Sequence, residues 1–385
     1  MSSTSSTVVA SRYGESSWKL NFENDDEHQI IEVEKIDQEE KVTAAAPDAF
    51  VPDILDLRED IRTLSKTRSP NAPREATQVL RRMFELYGNT GSNTTAAAEE
   101  KRRRDAQSGR TVNVRDCTQV IGTWSKSRHS DAPKEALKIL NEMLAIYNKD
   151  GEIHIRPNVV TYTSVIAAYA RRGDLDGASN VFEMQVNDFK NENNFAAKPN
   201  TRTFKTMINA CTKSSKRSAP ETAEKILATI NDWYAAGHLE EGASTITYSG
   251  VINCWSKSKI PESPRRARAL LQSMLSQYHD EGNSHVRPNT ITYASVLDAY
   301  ARWGNIDGAN EVWKMMKDDY ESGNRNARPE VQTYTILIKA WSKSDKPSAP
   351  QEAEKLLKEM LRLYSIGELS EGPNTFTYGT LINCW

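Results

Sequence analysis

The 385-residue sequence predicts an all-α fold, an α-solenoid of stacked helix-turn-helix repeats. An aromatic residue recurs every 41 to 45 residues, which is a period typical of helical repeat arrays. A longer regularity spans three repeats, because PNVVTYTSVIAAYARRGDLDGA at 157 returns as PNTITYASVLDAYARWGNIDGA at 288. We call the recurring aromatic residue the anchor; the anchors are Tyr162, Phe204, Tyr248, Tyr293, Tyr334 and Tyr378, with Cys117 in the same place 45 residues earlier.

The first helix of a repeat is predicted by apolar residues on one helical face, as in the run Tyr248, Val251, Ile252 and Trp255. A second helix is expected after a short polar loop. Pro264 suits its first turn, where a missing N–H needs no partner. The second helix carries its own apolar residues, namely Ala267, Leu270, Leu271, Met274 and Tyr278. One helix pair cannot bury both faces, so successive pairs are expected to stack.

The chain divides into three parts. Residues 1–50 carry 11 acidic and 4 basic side chains and are predicted to form a disordered acidic tail, whereas the remainder has a net charge of +5. Residues 51–110 hold a degenerate first repeat, with a low-complexity insertion at 88–110 whose KRRR run is interpreted as a solvated basic patch. Residues 111–385 form the repeat array, and its last repeat is expected to be truncated because the sequence ends inside a first helix.

Composition points to binding rather than catalysis. Hydrophobic residues make up 38% and charged residues 26%, which is usual for a globular chain, and no apolar run is long enough for a membrane span. The four cysteines lie on predicted first helices without a CxxC pair, so they are interpreted as reduced core thiols. We find no metal spacing of histidines, nucleophile triad or phosphate loop, and expect no catalysis, cofactor, metal, membrane or small-molecule substrate.

The run V-x-T-Y-x-x-x-I-x-A-Y-x-R-x-G-x-x-D-x-A resembles the pentatricopeptide repeat. Residues 159–200 and 290–330 match that pattern closely, and residues 111–158, 201–244, 245–289 and 331–374 match it with changed loops. The resemblance implies a right-handed α-solenoid. These repeats are six to ten residues longer than is usual in the family, and the excess is placed in the second helix or in its exit loop.

The resemblance also implies binding of single-stranded RNA, with one base read in each repeat. The two base-reading positions of a repeat are the residue after the anchor and the residue after the closing proline. These pairs are Thr118 with Asn158, Thr163 with Asn200, Lys205 with Ser244, Ser249 with Asn289, Ala294 with Glu330, and Thr335 with Asn374. In the family, Thr or Ser with Asn favours adenine, so the implied site is 5′-AANANA-3′. An asparagine after proline is also a common turn residue, and Ser244 lacks the preceding proline.

Every full repeat carries a basic residue nine positions after its anchor. These residues are Lys126, Arg171, Lys213, Lys257, Arg302 and Lys343, and Lys66 holds the place in the degenerate repeat. Stacked repeats would align them, and single strands are held largely through phosphate contacts. The alternative role is capping, since a cation at a helix C-terminus is stabilised by the helix dipole. We favour phosphate contact.

Two further positions are periodic. An aromatic residue seven positions after the anchor is predicted to lie in the core between repeats rather than to stack on bases; this set is Trp124, Tyr169, Trp255, Tyr300, Trp341 and Trp385. The resemblance implies that residues two positions before the anchor flank the bases; this set is Val160, Arg202, Ile246, Ile291, Gln332 and Phe376.

Three functions are compatible with this sequence. The first is a sequence-selective RNA-binding protein of mitochondria or plastids that acts in RNA processing, stability or translation, although residues 1–22 give only a weak targeting signal. The second is a scaffold that binds protein partners through the same surface. The third is the RNA-targeting arm of a processing enzyme whose catalytic domain lies beyond Trp385.

Overall fold

The computed structural model describes residues 52–87, 111–151 and 153–385 of the chain. Fifteen α-helices account for most of these described residues, which contain no β-strand. The predicted all-α repeat solenoid is therefore confirmed. The predicted acidic tail at 1–50 and the insertion at 88–110 lie outside the described residues.

Helices α1 to α15 alternate between the first and the second helix of a repeat, so that odd numbers denote first helices. In chain order they are Ile54–Lys66, Ala72–Tyr87, Val114–Lys126, Ala132–Asp150, Val159–Arg172, Leu175–Lys190, Thr201–Lys213, Ala219–Ala235, Thr245–Lys257, Ser263–His279, Thr290–Arg302, Ile306–Glu321, Val331–Ser342, Ala349–Ser365 and Thr375–Ile382. Four short 3₁₀ turns also occur in the described residues: Ile153–Ile155, Phe195–Ala197, Ser284–Val286 and Arg325–Ala327.

The described residues form two compact units. The N-terminal unit comprises residues 52–87, 111–151, 153–168 and 179–198, and the C-terminal unit comprises residues 169–178 and 199–385. In the N-terminal unit, α1, α2 and α3 pack against one another and α4 packs on α3. In the C-terminal unit, the first helices α7, α9, α11, α13 and α15 pack in succession, and each of α8, α10, α12 and α14 packs beside its first helix.

Polar caps and prolines fix where these helices begin. At the start of α11, Asn289 Oδ1 accepts the N–H of Thr292 at 2.9 Å, and Thr292 Oγ1 accepts the N–H of Asn289 at 3.4 Å. This reciprocal capping box satisfies two backbone donors that a helix start leaves free. Five of the second helices instead carry proline in the first turn, as predicted for Pro264 in α10.

The predicted apolar faces form the core. In α9, the residues Tyr248, Val251, Ile252 and Trp255 are each at most 2% exposed, and the Trp255 indole donates to the Glu224 carboxylate at 3.1 Å. The anchors Tyr162, Phe204 and Tyr293 are fully buried. The aromatic residues seven positions after the anchor are also buried at Trp124, Tyr169, Trp255 and Tyr300, which confirms the predicted core position for these four. Trp341 is partly buried against the core, and the prediction is wrong for Trp385, which is 76% exposed.

The extra residues of each repeat lie in its second helix and exit segment. Second helices have 16 to 19 residues, and full first helices have 12 to 14. In the C-terminal unit, the exit segment is tied back because the Asn324 amide donates to the Asp319 carboxylate at 2.7 Å and to the Pro288 carbonyl at 2.9 Å. The residue after the closing proline therefore still begins the next first helix, despite the longer repeat.

The N-terminal unit repeats this arrangement. The Asp188 carboxylate accepts from the Tyr162 hydroxyl at 3.0 Å and from the Asn194 amide at 2.7 Å, and the same amide donates to the Pro157 carbonyl at 2.8 Å. Asp188 also pairs with Arg156 at 3.1 Å. A buried carboxylate therefore links the anchor to the second helix and, through Asn194, to the proline that closes the preceding repeat.

Two kinds of loop join the first and second helices. The short R-x-G loops contain Gly173 and Gly304, whose φ angles are +72° and +64°. A Cβ atom on Gly173 would lie 2.6 Å from the carbonyl oxygen of Lys213, and one on Gly304 would meet the carbonyl oxygen of Lys343. Each R-x-G loop is therefore in close backbone contact with the loop of the next repeat.

We expect Gly304→Ala to lower the free energy of unfolding by about 2–3 kcal/mol, because left-handed backbone strain adds to a clash with a carbonyl oxygen. Gly237→Ala is the matched control, since Gly237 has a φ of +73° but no neighbouring atom within 4 Å of the place that a Cβ atom would take. The control should cost about 1 kcal/mol through the backbone conformation alone. Urea unfolding followed by circular dichroism measures both; equal effects would show that the close contact is unimportant.

Three of the four cysteines match the predicted core thiols on first helices. All four are free thiols, and Cys117, Cys211 and Cys254 are buried whereas Cys384 is partly exposed. In the described part of the chain, no group of three or more His, Cys, Asp or Glu side chains is arranged to hold a metal ion. No helix there is long and apolar enough to cross a membrane.

Candidate nucleic-acid interface

At three repeats, the two predicted base-reading positions are joined by a single buried threonine. In the C-terminal unit, Ser249 Oγ lies 2.7 Å from Thr292 Oγ1, which donates to Asn289 Oδ1 at 3.0 Å. The sequence pairs Ser249 with Asn289 across 40 residues, and this hydroxyl relay places them side by side. The last pair, Thr335 and Asn374, is joined in the same way through Thr377, at 2.9 and 3.2 Å.

The N-terminal unit contains the same relay. Thr118 Oγ1 lies 2.7 Å from Thr161 Oγ1, which donates to Asn158 Oδ1 at 3.3 Å. Sequence reasoning missed the role of this threonine, although its signal is the T of the recurrent T-Y dipeptide. Every threonine at this position is at most 1% exposed: Thr161, Thr203, Thr247, Thr292, Thr333 and Thr377.

The asparagines combine capping with an available donor. In Asn158, Asn200, Asn289 and Asn374, the side-chain oxygen accepts the backbone N–H three residues on. Within residues 153–385, the amide nitrogen of these four side chains makes no hydrogen bond. The side-chain oxygen of each asparagine therefore caps a helix, as expected of a turn residue. The NH₂ group of the same side chain can still donate to a ligand.

The less regular pairs keep the same positions. Ser244 is the N-cap of α9 and Glu330 the N-cap of α13, so both hold the place of the capping asparagines. The missing proline before Ser244 therefore does not shift its register. Their partners differ: Lys205 is half-buried, and Ala294 is buried and offers no polar side-chain atom.

In the degenerate repeat, the residue at the predicted base-reading position makes contacts within the protein. Arg58 follows Leu57, which occupies the anchor position, and Asp116 replaces the buried threonine of the next repeat. The Arg58 guanidinium pairs with the Asp116 carboxylate at 2.9 Å and donates to the Thr111 carbonyl at 2.7 Å. A charged contact thus replaces the hydroxyl contact at this junction, and Arg58 is committed to it.

A groove of about 470 Å³ lies along the first helices of the C-terminal unit. Its lining includes the predicted base-reading residues Ala294, Thr335 and Asn374, together with the predicted flanking residues Ile291, Gln332 and Phe376. Ile291 is 65% and Phe376 68% exposed, so apolar surfaces lie beside the polar atoms of the predicted base-reading residues. This arrangement suits a planar ligand with hydrogen-bonding edges.

Two acidic residues line the groove, Asp298 and Glu371, and Asp298 is neutralised by its neighbours. Asp298 accepts hydrogen bonds from Lys339 at 2.7 Å and from Arg302 at 2.6 Å. Burial acts to raise the pKa of Asp298, but these hydrogen bonds and charges outweigh it and hold the pKa below its ordinary value. Arg302, predicted as a phosphate contact, therefore forms an ion pair within the protein.

The other basic residues predicted to contact phosphate are exposed and unpaired. Within the described residues, no ion pair or hydrogen bond involves the charged groups of Lys126, Arg171, Lys213, Lys257 and Lys343. Each of the five lies in the last turn of a first helix or at its C-cap. The position is that of a capping cation, and it leaves the charge available to a ligand.

The fold and this groove define a helical repeat protein with a binding surface along its first helices. Family comparison identifies it further: the PPR repeat family matches residues 157–213, the pentatricopeptide repeat domain matches residues 278–344, and the PPR repeat matches residues 332–364. The chain therefore carries pentatricopeptide repeats in residues 157–213 and 278–364.

Several solved structures are similar to the chain. The crystal structure of the pentatricopeptide repeat protein PPR10 from maize has 21% sequence identity and a TM-score of 0.48, over 85% of this chain and 40% of that chain. The crystal structure of PPR10 in complex with an 18-nt psaJ RNA element has 20% identity and a TM-score of 0.36, over 86% and 41% of the two chains. The chain thus spans about two fifths of these proteins. No curated protein matches it.

Proposed function

We propose that this protein binds single-stranded RNA along its first helices, with one base contacted in each repeat. The observation that carries the proposal is the recurrent hydroxyl relay, such as Ser249–Thr292–Asn289, which joins the two base-reading positions. Exposed apolar residues lie two positions before four of the anchors, and unpaired cations lie nine positions after the anchors except at Arg302. Single-stranded RNA requires this combination of polar edge contacts, stacking surfaces and charge.

In the proposed mechanism, each base lies flat against the exposed apolar residues and turns its edge towards the relay. At the repeat of Tyr248, the free NH₂ group of Asn289 donates to a ring nitrogen. The Ser249 hydroxyl accepts from an exocyclic amine. Adenine presents that acceptor and donor side by side, which accords with the preference that the family resemblance implies for Ser with Asn. Lys257 then contacts the backbone phosphate without regard to sequence.

Fluorescence anisotropy with short RNAs tests this function. We expect single-stranded AACACA to bind at least about tenfold more tightly than UUCUCU, a difference of about 1.4 kcal/mol. The DNA version and an RNA duplex should bind more weakly at both low and moderate salt. Equal, salt-sensitive binding to all four would leave only a non-selective charged surface, and no binding at low salt would favour the protein scaffold.

The finer biological role belongs to the same proposal. We place the protein in RNA processing, stability or translation in mitochondria or plastids, on the basis of the family resemblance. An RNA-targeting arm joined to a catalytic domain is the alternative for the complete protein. Nuclease activity of the full-length protein on RNAs containing the AANANA site would favour that alternative.

A further inference from the structure

A second cavity lies away from the base-reading groove. It has a volume of about 600 Å³ and lies between two neighbouring loops of the C-terminal unit, the one joining α7 to α8 and the one joining α9 to α10. Its polar lining consists of hydroxyl and cationic side chains, namely Thr212, Ser214, Ser215, Lys216, Arg217, Lys257, Ser258 and Lys259. No acidic residue lines it.

The cavity exists because two long loops of the same kind adjoin. Where an R-x-G loop precedes a long loop, the glycine packs on the next backbone, as Gly173 does on Lys213 and Gly304 on Lys343. From the basic residue to the next helix's alanine there are seven residues in the R-x-G loops and ten in the long loops. Between α7–α8 and α9–α10 both loops are long, and no glycine closes the space.

The positive charge of the cavity is only partly compensated within the protein. Lys216 is paired with Asp176 at 2.6 Å, whereas Arg217, Lys257 and Lys259 form no ion pair within residues 153–385. The remaining wall includes the thiols of Cys211 and Cys254. Burial raises the pKa of Cys254 to about 12, so this thiol is uncharged at neutral pH and does not repel an anion. Three free cations and several hydroxyl donors thus converge on one space.

We propose that this cavity binds a phosphate group, and that in the RNA complex the group is a backbone phosphate of the bound strand. The inference rests on the proposed function. Phosphate oxygens accept charge-assisted hydrogen bonds from arginine and lysine and ordinary ones from serine hydroxyls, and the lining supplies both. Lys257 connects this cavity to the base-reading surface, because Ser249, Asn253 and Lys257 follow one another at intervals of four on one face of α9.

A phosphate bound in this cavity fixes the position of the RNA strand relative to the repeats. Ser249 and Lys257 are separated by about 12 Å along the helix axis, since each residue adds about 1.5 Å. A nucleotide whose base reaches Ser249 can place its phosphate at the extended Lys257 side chain. Where an R-x-G loop precedes a long loop, the glycine fills this space, so the cavity-bound phosphate belongs to the junction between the repeats of Phe204 and Tyr248.

The double variant Arg217→Ala with Lys259→Ala tests the proposal on the full chain. Both side chains are exposed, so folding should be unaffected, and a thermal melt checks this. One lost phosphate contact should weaken binding of single-stranded AACACA about eightfold at about 50 mM salt and reduce the salt slope by about 0.7. The matched control, Arg265→Ala with Lys314→Ala, removes two exposed cations from second helices and should leave both values unchanged.

Equilibrium dialysis with orthophosphate separates this proposal from the proposed function. If the wild type binds RNA and the double variant binds it with the same affinity and salt slope, the backbone-phosphate assignment is wrong. RNA binding itself is then unaffected. If the wild type binds orthophosphate but no RNA, the bound phosphate does not come from an RNA strand. Loss of orthophosphate binding in the double variant would then show that the cavity binds free phosphate. A wild type that binds neither would overturn both.

Discussion

Asp319→Ala should lower the free energy of unfolding by about 4 kcal/mol, the largest stability effect we expect from a single substitution. The Asp319 carboxylate is buried and accepts from the Tyr293 hydroxyl at 2.8 Å and from the Asn324 amide at 2.7 Å. His279 lies 2.8 Å from its other oxygen. Alanine would leave the tyrosine and asparagine donors without an acceptor, and each buried orphan costs about 1–3 kcal/mol.

The neighbouring Asp318 supplies the matched control, because it is exposed and belongs to the same helix. Asp318→Ala should change stability by less than about 0.5 kcal/mol. Asp319→Asn should fall between the two, since the amide oxygen can still accept one of the hydrogen bonds. Urea unfolding of all three variants gives the comparison, and similar midpoints for Asp318→Ala and Asp319→Ala would show that the buried network contributes nothing.

The tyrosine provides an independent spectroscopic check on the same network. Burial, followed by the charge of Asp319 and the hydrogen bond to it, raises the pKa of Tyr293. The folded protein should therefore keep this phenol protonated at pH values where exposed tyrosines ionise. Deprotonation favours the unfolded state, in which the pKa is lower, so this group's contribution to stability is lost as pH rises above about 10.

The architecture could be predicted because each helix is specified by residues close together in the sequence. The anchor face of α9 follows from Tyr248, Val251 and Ile252, and the start of α10 follows from Pro264. These signals lie within about two turns of the helix they specify, so periodicity alone finds them. The base-reading positions were predicted from the family resemblance, by counting from the anchor and the closing proline of each repeat.

The interactions that complete the site could not be predicted in this way, because they join residues about 40 positions apart. The contact of Ser249 with Thr292 depends on how two first helices pack. Arg302 looks like the other basic residues in sequence, yet Asp298, four residues earlier, pairs with it and with Lys339 of the next repeat. Only the packed structure distinguishes a free cation from a neutralised one.

The double variant Lys257→Glu with Lys343→Glu should weaken binding of single-stranded RNA about 100-fold at about 50 mM salt. Loss of two phosphate contacts accounts for about 60-fold of this, and the remainder is repulsion by the new carboxylates. The salt slope should fall by about 1.4, and the preference for AACACA over UUCUCU should persist, because phosphate contacts carry no sequence information.

Charge reversal at matched sites separates this effect from general electrostatics. Arg265→Glu with Lys314→Glu changes net charge equally but on exposed second-helix positions, so RNA affinity should fall much less. If Lys257 and Lys343 served only as helix caps, their reversal would cost about 1 kcal/mol of stability in each helix and leave the salt slope as it was. Both residues are exposed and unpaired in the described chain, whereas Arg302 is held by Asp298. Arg302→Ala should therefore reduce the salt slope less than Lys257→Ala does, and an equal reduction would show that the ion pair opens to admit the strand.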